Sequence, residues 1–267
     1  MMVVPAPVPL TSADVATALA AAGVARGELV GLAVGGTAAV LATADAEFSV
    51  TVADLAATLA AAEAVLRPRW VVWDEATTRA LVVSGARPAT CWHLAAVHRL
   101  LAGGWRAEPA RLWEWLHGLD HRSAPSLGQM NLLAEPQRAT GEGPVQDDGH
   151  LAPEWVAGGW RADPRATGEW ARLGLAAAHL QLDRVEAGGQ PRHLATAHAE
   201  STAELLCAEL AADGLPVDLA AAHTVLHELI GPRPANEAEA AAERARRDEQ
   251  VLRHFPAAQR GPDCKSS

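Results

Sequence analysis

The sequence predicts an α/β layer followed by an α-helical region, on three observations. Between residues 29 and 101, short apolar runs of strand length alternate with helix-periodic segments, the pattern of a sheet covered by helices. From residue 169 onward apolar residues recur at helical spacing. Between these regions, residues 120–168 hold many of the prolines and glycines and show little periodicity. A loop of that length in a compact domain is usually functional or disordered.

In chain order, residues 12–23 read as an Ala-rich helix beginning near Ser12, and 29–42 as one or two buried strands around Gly35-Gly36. Phe48-Ser49-Val50 continues the sheet. Val52–Leu66 carries Leu55, Leu59 and Leu66 on one helical stripe. Arg69–Trp73 is a short apolar strand, Glu75–Ser84 a helix and Gly85–Pro88 a turn. Cys91 to His117 reads as helical, with Leu94, Val97, His98 and Leu101 inward and a break at Gly103-Gly104. Within the loop region, Pro153–Val156 suggests one short helical turn. Glu169–Glu186 is a helix and Gly188–Arg192 a linker. Two echoing phrases, Gly103-Gly104-Trp105-Arg106-Ala107-Glu108-Pro109 and Gly158-Gly159-Trp160-Arg161-Ala162-Asp163-Pro164, each end one helix and start the next at the proline.

The richest stretch is Glu200 to Ile230. Ala203, Leu206, Cys207 and Leu210 fall on one helical face, Asp213-Gly214 stops the helix, and Asp218 is placed to cap a second helix carrying Leu219, Ala222, Leu226, Leu229 and Ile230. A helical hairpin is expected. Cys207 reads as a small buried hydrophobe of that face. A last helix follows from Asn236, its N-cap, to Phe255, with Glu239 at the capping-box position and a charged, self-paired surface.

Composition excludes several function classes. None of the apolar runs approaches the roughly 20 residues of a membrane span, and Met1–Leu10 lacks the basic start of a signal peptide, so a cytoplasmic protein without a membrane partner is expected. The three cysteines, Cys91, Cys207 and Cys264, are too far apart in sequence to suggest a disulfide framework or a metal knuckle. The formal charge of −10 opposes unaided nucleic-acid binding, and the absence of tyrosine removes any mechanism that needs a phenol. No P-loop, dinucleotide-binding turn or nucleophile elbow is present.

The turn Gly214-Leu215-Pro216-Val217-Asp218, between two helices, resembles the opening of the polymerase region in family A DNA polymerases, the DNA polymerase I type. Upstream, Leu29–Val34 resembles a core strand of that family's 3′–5′ exonuclease domain, and Arg67–Leu101 its strand-helix-strand-helix middle. The likeness is to the exonuclease/polymerase proteins of high-GC bacteria and covers most of residues 25–255. It implies an RNase H-like exonuclease domain at 1–119, the Pro/Gly-rich loop region at 120–168, and the domain's late helix with a linker at 169–199. The hairpin and helix that start the polymerase thumb then occupy 200–255, and 256–267 is a tail. It also implies DNA as partner of the full-length polymerase in replication or repair, and Mg2+ as the cofactor of an intact member.

The exonuclease carboxylates of that family do not carry over. At the family's spacing, the D-x-E pair falls near Ala16 and Ala18, the middle aspartate near Thr77, and the late motif on Leu173, Leu175, Ala176 and Ala177. Two divalent ions about 4 Å apart need more carboxylates than these positions supply. The candidate catalytic residues are therefore reduced to Asp74 and Glu75, just past a short strand, where Asp74 reads more readily as the N-cap of the helix it precedes. His223 and His227, at i and i+4, lack a third zinc ligand and read as residues of a helix face. The paired aspartates of a polymerase palm are missing from the sequence. The expected reading is an inactive N-terminal fragment of a bifunctional enzyme, with a stand-alone, non-catalytic interaction module as the alternative.

Overall fold

The protein is described by a computed structural model covering residues 6–121, 143–231 and 233–254. Its elements, in order, are β1 (Val8–Pro9), α1 (Val15–Ala21), β2 (Leu29–Val34), β3 (Ala38–Ala42), β4 (Glu47–Thr51), α2 (Leu55–Val65), β5 (Arg69–Val72), α3 (Glu75–Val83), β6 (Cys91–His93), α4 (Leu94–Ala102) and α5 (Pro109–His117). They continue with α6 (Pro153–Val156), α7 (Pro164–Ala187), α8 (Pro191–Asp213), α9 (Leu219–Ile230) and α10 (Glu237–Leu252). Residues 1–214 form one unit and 215–267 another. Residues 122–142 of the expected loop region and the expected tail lie outside the described residues.

The strands make one six-stranded mixed sheet in the order β1-β4-β3-β2-β5-β6. β3 is antiparallel to both neighbours, and the other pairings are parallel. Alternation divides the strand residues between two cores. Val30, Leu32 and Val34 of β2, with Trp70 and Val72 of β5, pack under α1 and α2. Ala33 and Val71 face the other way, into a tryptophan-rich core with α4, α5, α6, α7 and part of α8. There Trp73 stacks on Trp170 at 4.5 Å between ring centroids and donates from Nε1 to the Trp170 carbonyl at 3.1 Å. Trp160 stacks on the same ring at 5.7 Å.

Glycine sets how closely α7 can lie on the sheet. A Cβ at Gly31 would meet the Ala171 carbonyl carbon at 3.0 Å and Leu175 Cβ at 3.2 Å. One at Gly174 would meet Trp73 Nε1 at 2.9 Å. Helix and strand therefore touch through backbone.

Three expectations are corrected. Residues 91–93 form β6, not the start of a helix, because they pair in parallel with β5; a run of three residues is too short to show a period against the helical residues that follow. The first helix of the hairpin, expected from Glu200, begins earlier, at Pro191, and runs unbroken to Asp213, so the linker expected at Gly188–Arg192 is shorter. α8 also buries a different face. Ala197, Ser201, Leu205 and Ala208 are covered, whereas Leu206 is 51% exposed, Leu210 is 41% exposed, and Cys207 is exposed. Small residues win because α8 lies against β6: Ser201 Oγ accepts the His93 N–H at 3.0 Å, and Cys91 Sγ donates to the Ser201 carbonyl at 3.1 Å.

The local stop and start signals behave as the sequence predicts. Gly214 ends α8 at φ +73°, Asp218 Oδ1 accepts from the Ala220 and Ala221 N–H groups at 2.9 and 3.0 Å, and Asn236 Oδ1 accepts from Glu239 N–H at 2.9 Å. Neither α9 nor α10 buries a residue. No helix among the described residues is long and apolar enough to cross a membrane.

Candidate functional site

The parallel strands β5 and β6 end side by side, and each passes directly into a helix capped by the side chain at the junction. In open α/β sheets the crevice beyond the strands' carboxyl ends is where ligands bind. A cleft of about 710 Å³ opens here, lined by Asp74, Glu75, His93, Arg99, Trp105 and Glu200 among others. It gathers the ends of β5 and β6, the start of α3, the flank of α4, the loop before α5 and the middle of α8.

Asp74 stands at the end of β5 in extended conformation, with φ −157° and ψ 177°. Its Oδ1 accepts from Thr77 N–H at 3.0 Å and Thr77 Oγ1 at 2.9 Å, the N-cap role read from the sequence. Glu75, beside it, is exposed and pairs with Arg79 one turn along α3. Both candidate carboxylates thus lie in the cleft, one already engaged by its helix and the other by an arginine.

His93 is the residue that sequence reasoning missed. It is the last residue of β6 and the N-cap of α4, where its Nδ1 accepts the Ala96 N–H at 3.2 Å. That bond leaves the proton on Nε2, which is buried without a partner. Burial holds the imidazole down at about 4, against the opposing pull of Asp74, so it is neutral at pH 7. The only available signal was a polar residue just ahead of the Leu94 apolar run, and the misassigned helix hid it.

The remaining charges are partly self-paired. Arg99 binds Glu204 of α8, and Arg106 Nε lies 3.3 Å from Glu108 Oε1. Glu200 has no ion pair among the described residues. Away from the cleft, the buried Glu114 carboxylate lies 3.1 Å from His121 Nδ1 and 3.9 Å from His150 Nε2. Glu47 is buried on β4 beside Arg172, and burial pushes its carboxyl above the usual range.

The positions measured for the exonuclease carboxylates do not converge. Ala16 and Ala18 lie on α1, which packs with α2 on one face of the sheet, whereas Leu173, Leu175, Ala176 and Ala177 lie on α7 on the other face. The strand residue that faces Leu175 is Gly31. Thr77 lies in the first turn of α3 and bonds to Asp74. His223 and His227 are exposed on α9, and the described residues contain no group of three or more His, Cys, Asp or Glu side chains placed to hold a metal ion. No protein-family model, curated protein or solved structure matches the chain.

Proposed function

We propose that this chain is the N-terminal part of a family A DNA polymerase of replication or repair, with an RNase H-like exonuclease domain that has lost its chemistry and serves as a scaffold. The observation that carries this reading is the fit between β2 and α7. The order β4-β3-β2-β5-β6, with β3 alone reversed, is the arrangement expected of an RNase H-like sheet. In such a domain the metal-binding carboxylates stand between the central strand and the late helix. Here the positions measured for the first pair, Ala16 and Ala18, lie on α1 instead, and β2 offers only Gly31 and Ala33 towards α7, whose backbone fills the space a side chain at Gly31 would need. Mg2+ needs several oxygen ligands in near-octahedral order, which these residues cannot supply. The residues do not fit the ion.

The turn from α8 through Gly214 to the Asp218 cap of α9 supports the second half of the proposal, the start of the polymerase thumb. Nucleotide transfer would belong to a palm beyond Ser267. DNA would be bound by the full-length enzyme and weakly by this chain, given its charge of −10.

Incubation of the purified chain with labelled single-stranded DNA in magnesium or manganese tests the reading. No degradation is expected, and primer extension should be absent as well. Nuclease activity that survives purification and disappears in Asp74→Ala would overturn it in favour of a rearranged site around Asp74 and Glu75. The alternative, a stand-alone non-catalytic interaction module, is favoured by the exposed Trp105 at the cleft. The reading frame past Ser267 separates the two: a palm and fingers downstream support the polymerase, and a stop followed by an unrelated gene supports the module.

A further inference from the structure

We propose that the cleft at the ends of β5 and β6 is a docking site for a basic peptide segment, which places an arginine or lysine side chain between Trp105 and Glu200. Three independent observations converge on it.

The first is the contrast between two tryptophans in the same local sequence. Trp160, in the second Gly-Gly-Trp-Arg-Ala phrase, is 4% exposed and stacks on Trp170, whereas Trp105, in the first, is 93% exposed. An indole so fully in water contributes nothing to the core, and tryptophan is among the residues that most often carry binding energy at interfaces. Trp105 lines two adjoining hollows, of about 710 and 420 Å³, and Glu200 lines both. An exposed indole that lines the same hollow as a carboxylate suits a guanidinium or ammonium group, which the ring's quadrupole and the carboxylate both attract.

The second observation is charge. The larger hollow is lined by five carboxylates (Asp74, Glu75, Glu108, Glu200 and Glu204) and two guanidiniums (Arg99 and Arg106). Glu204 and Glu108 pair with those arginines and Glu75 with Arg79. Among the described residues Asp74 and Glu200 are left without a cationic partner, so the cleft repels phosphate and attracts a cation.

The third is the orphaned His93 Nε2–H. A cation has nothing to accept this hydrogen, but a peptide carbonyl does. His93 is 1% exposed, and its tautomer is fixed by the bond from Ala96 N–H. The cleft therefore presents a carboxylate and an aromatic face for a basic side chain, and a buried donor for the main chain beside it. This combination separates a basic peptide from a free polyamine, which has no acceptor.

Isothermal titration of the full chain with the capped hexapeptide Gly-Arg-Lys-Arg-Gly-Gly, at low and at physiological salt, tests the proposal. Saturable binding is expected, at least tenfold weaker in Trp105→Ala and at least fivefold weaker in Glu200→Gln. Both residues are exposed, so the variants should fold. Glu237→Gln, on the charged surface of α10, should bind like the parent chain. Nitrogen-15 spectra of the imidazoles should show the His93 Nε2 signal shifting on saturation. Absence of binding at millimolar peptide would overturn the proposal, as would binding indifferent to both cleft variants. Spermidine bound as tightly as the peptide would overturn it too, since the donor would then play no part. None of these outcomes depends on nuclease or polymerase activity, so this proposal and the polymerase reading fail separately.

Discussion

The sheet region and the last two helices use similar apolar residues in opposite ways. In residues 29–101, Val30, Leu32, Trp70, Val72, Leu94 and Val97 are all buried, most of them completely. In residues 219–252, Leu219, Leu226, Leu229 and Ile230 are all about half exposed or more, although they recur at the same helical spacing as buried residues elsewhere. The difference teaches that periodicity announces a helix but not its partner. α9 has a good cap and an apolar stripe, yet helices take most of their stability from packing, and an isolated helix of about 12 residues is marginal in water.

Hydrogen exchange should show the largest effect. Amides of β2 and β5 should exchange only through global opening, on the order of 5–15 kcal/mol for a domain, whereas those of α9 should exchange through local opening orders of magnitude faster. Alternatively α9 should become protected with rising protein concentration as copies cover the stripe. Uniformly slow exchange in a strict monomer would break the comparison.

Acid should separate the regions next. His93 and His98 are held at about 4 in the fold, chiefly by burial and for His98 also by Arg111, against an ordinary 6.5. The unfolded chain therefore takes protons first. Stability present above about 6.5 is lost as pH falls towards about 4, by roughly 3 kcal/mol for each histidine. Glu47 works in the opposite direction, since its raised carboxyl favours the fold at low pH and loses that contribution as pH rises. On α10, hydrogen bonds from Arg246 and Arg247 hold Glu243 down at about 2, so its ion pairs persist through the window that weakens the sheet. All nine tryptophans lie between Trp70 and Trp170, so their fluorescence reports the sheet-containing unit alone. Denaturant midpoints read this way should fall between pH 7 and 4.5, and His98→Leu should flatten the slope. A midpoint independent of pH would contradict the burial of both imidazoles.

Substitutions should follow in decreasing size. Gly31→Ala forces a methyl against the α7 backbone and should destabilise the sheet unit by about 2 kcal/mol, because backbone cannot step aside as a flexible side chain would. Leu226→Ala, half exposed on α9, should change the same midpoint by less than about 0.5 kcal/mol. Equal effects at the two positions would mean that α9 has a partner that the exposures do not reveal.

The capping residues were legible because capping is local chemistry. Asp74, Asp218 and Asn236 each bond an N–H two or three residues ahead, within reach of sequence inspection alone. The strand at Leu29–Val34 was likewise legible as a short apolar run, but its two faces were not, since no polar residue in it marks one side from the other. The candidate site was half legible. Asp74 and Glu75 could be picked out beside their strand. His93 could not, because its role depends on β6 pairing with β5 and on Ser201 arriving from more than a hundred residues away.

The sequence by itself determined the α/β class and the helix stops and starts marked by Asp74, Gly214, Asp218 and Asn236. Tertiary structure alone decided which face of α8 is buried, because close approach to β6 favours Ser201 and Ala208 over the larger and more apolar Leu206 and Leu210. It also decided the fate of two tryptophans in almost identical phrases. Trp160 is buried because Trp170, brought close by the start of α7, offers it a ring to stack on, while Trp105 remains in water at the edge of a cleft. Local sequence fixes what a residue can do, and burial depends on which partners the rest of the chain brings within reach.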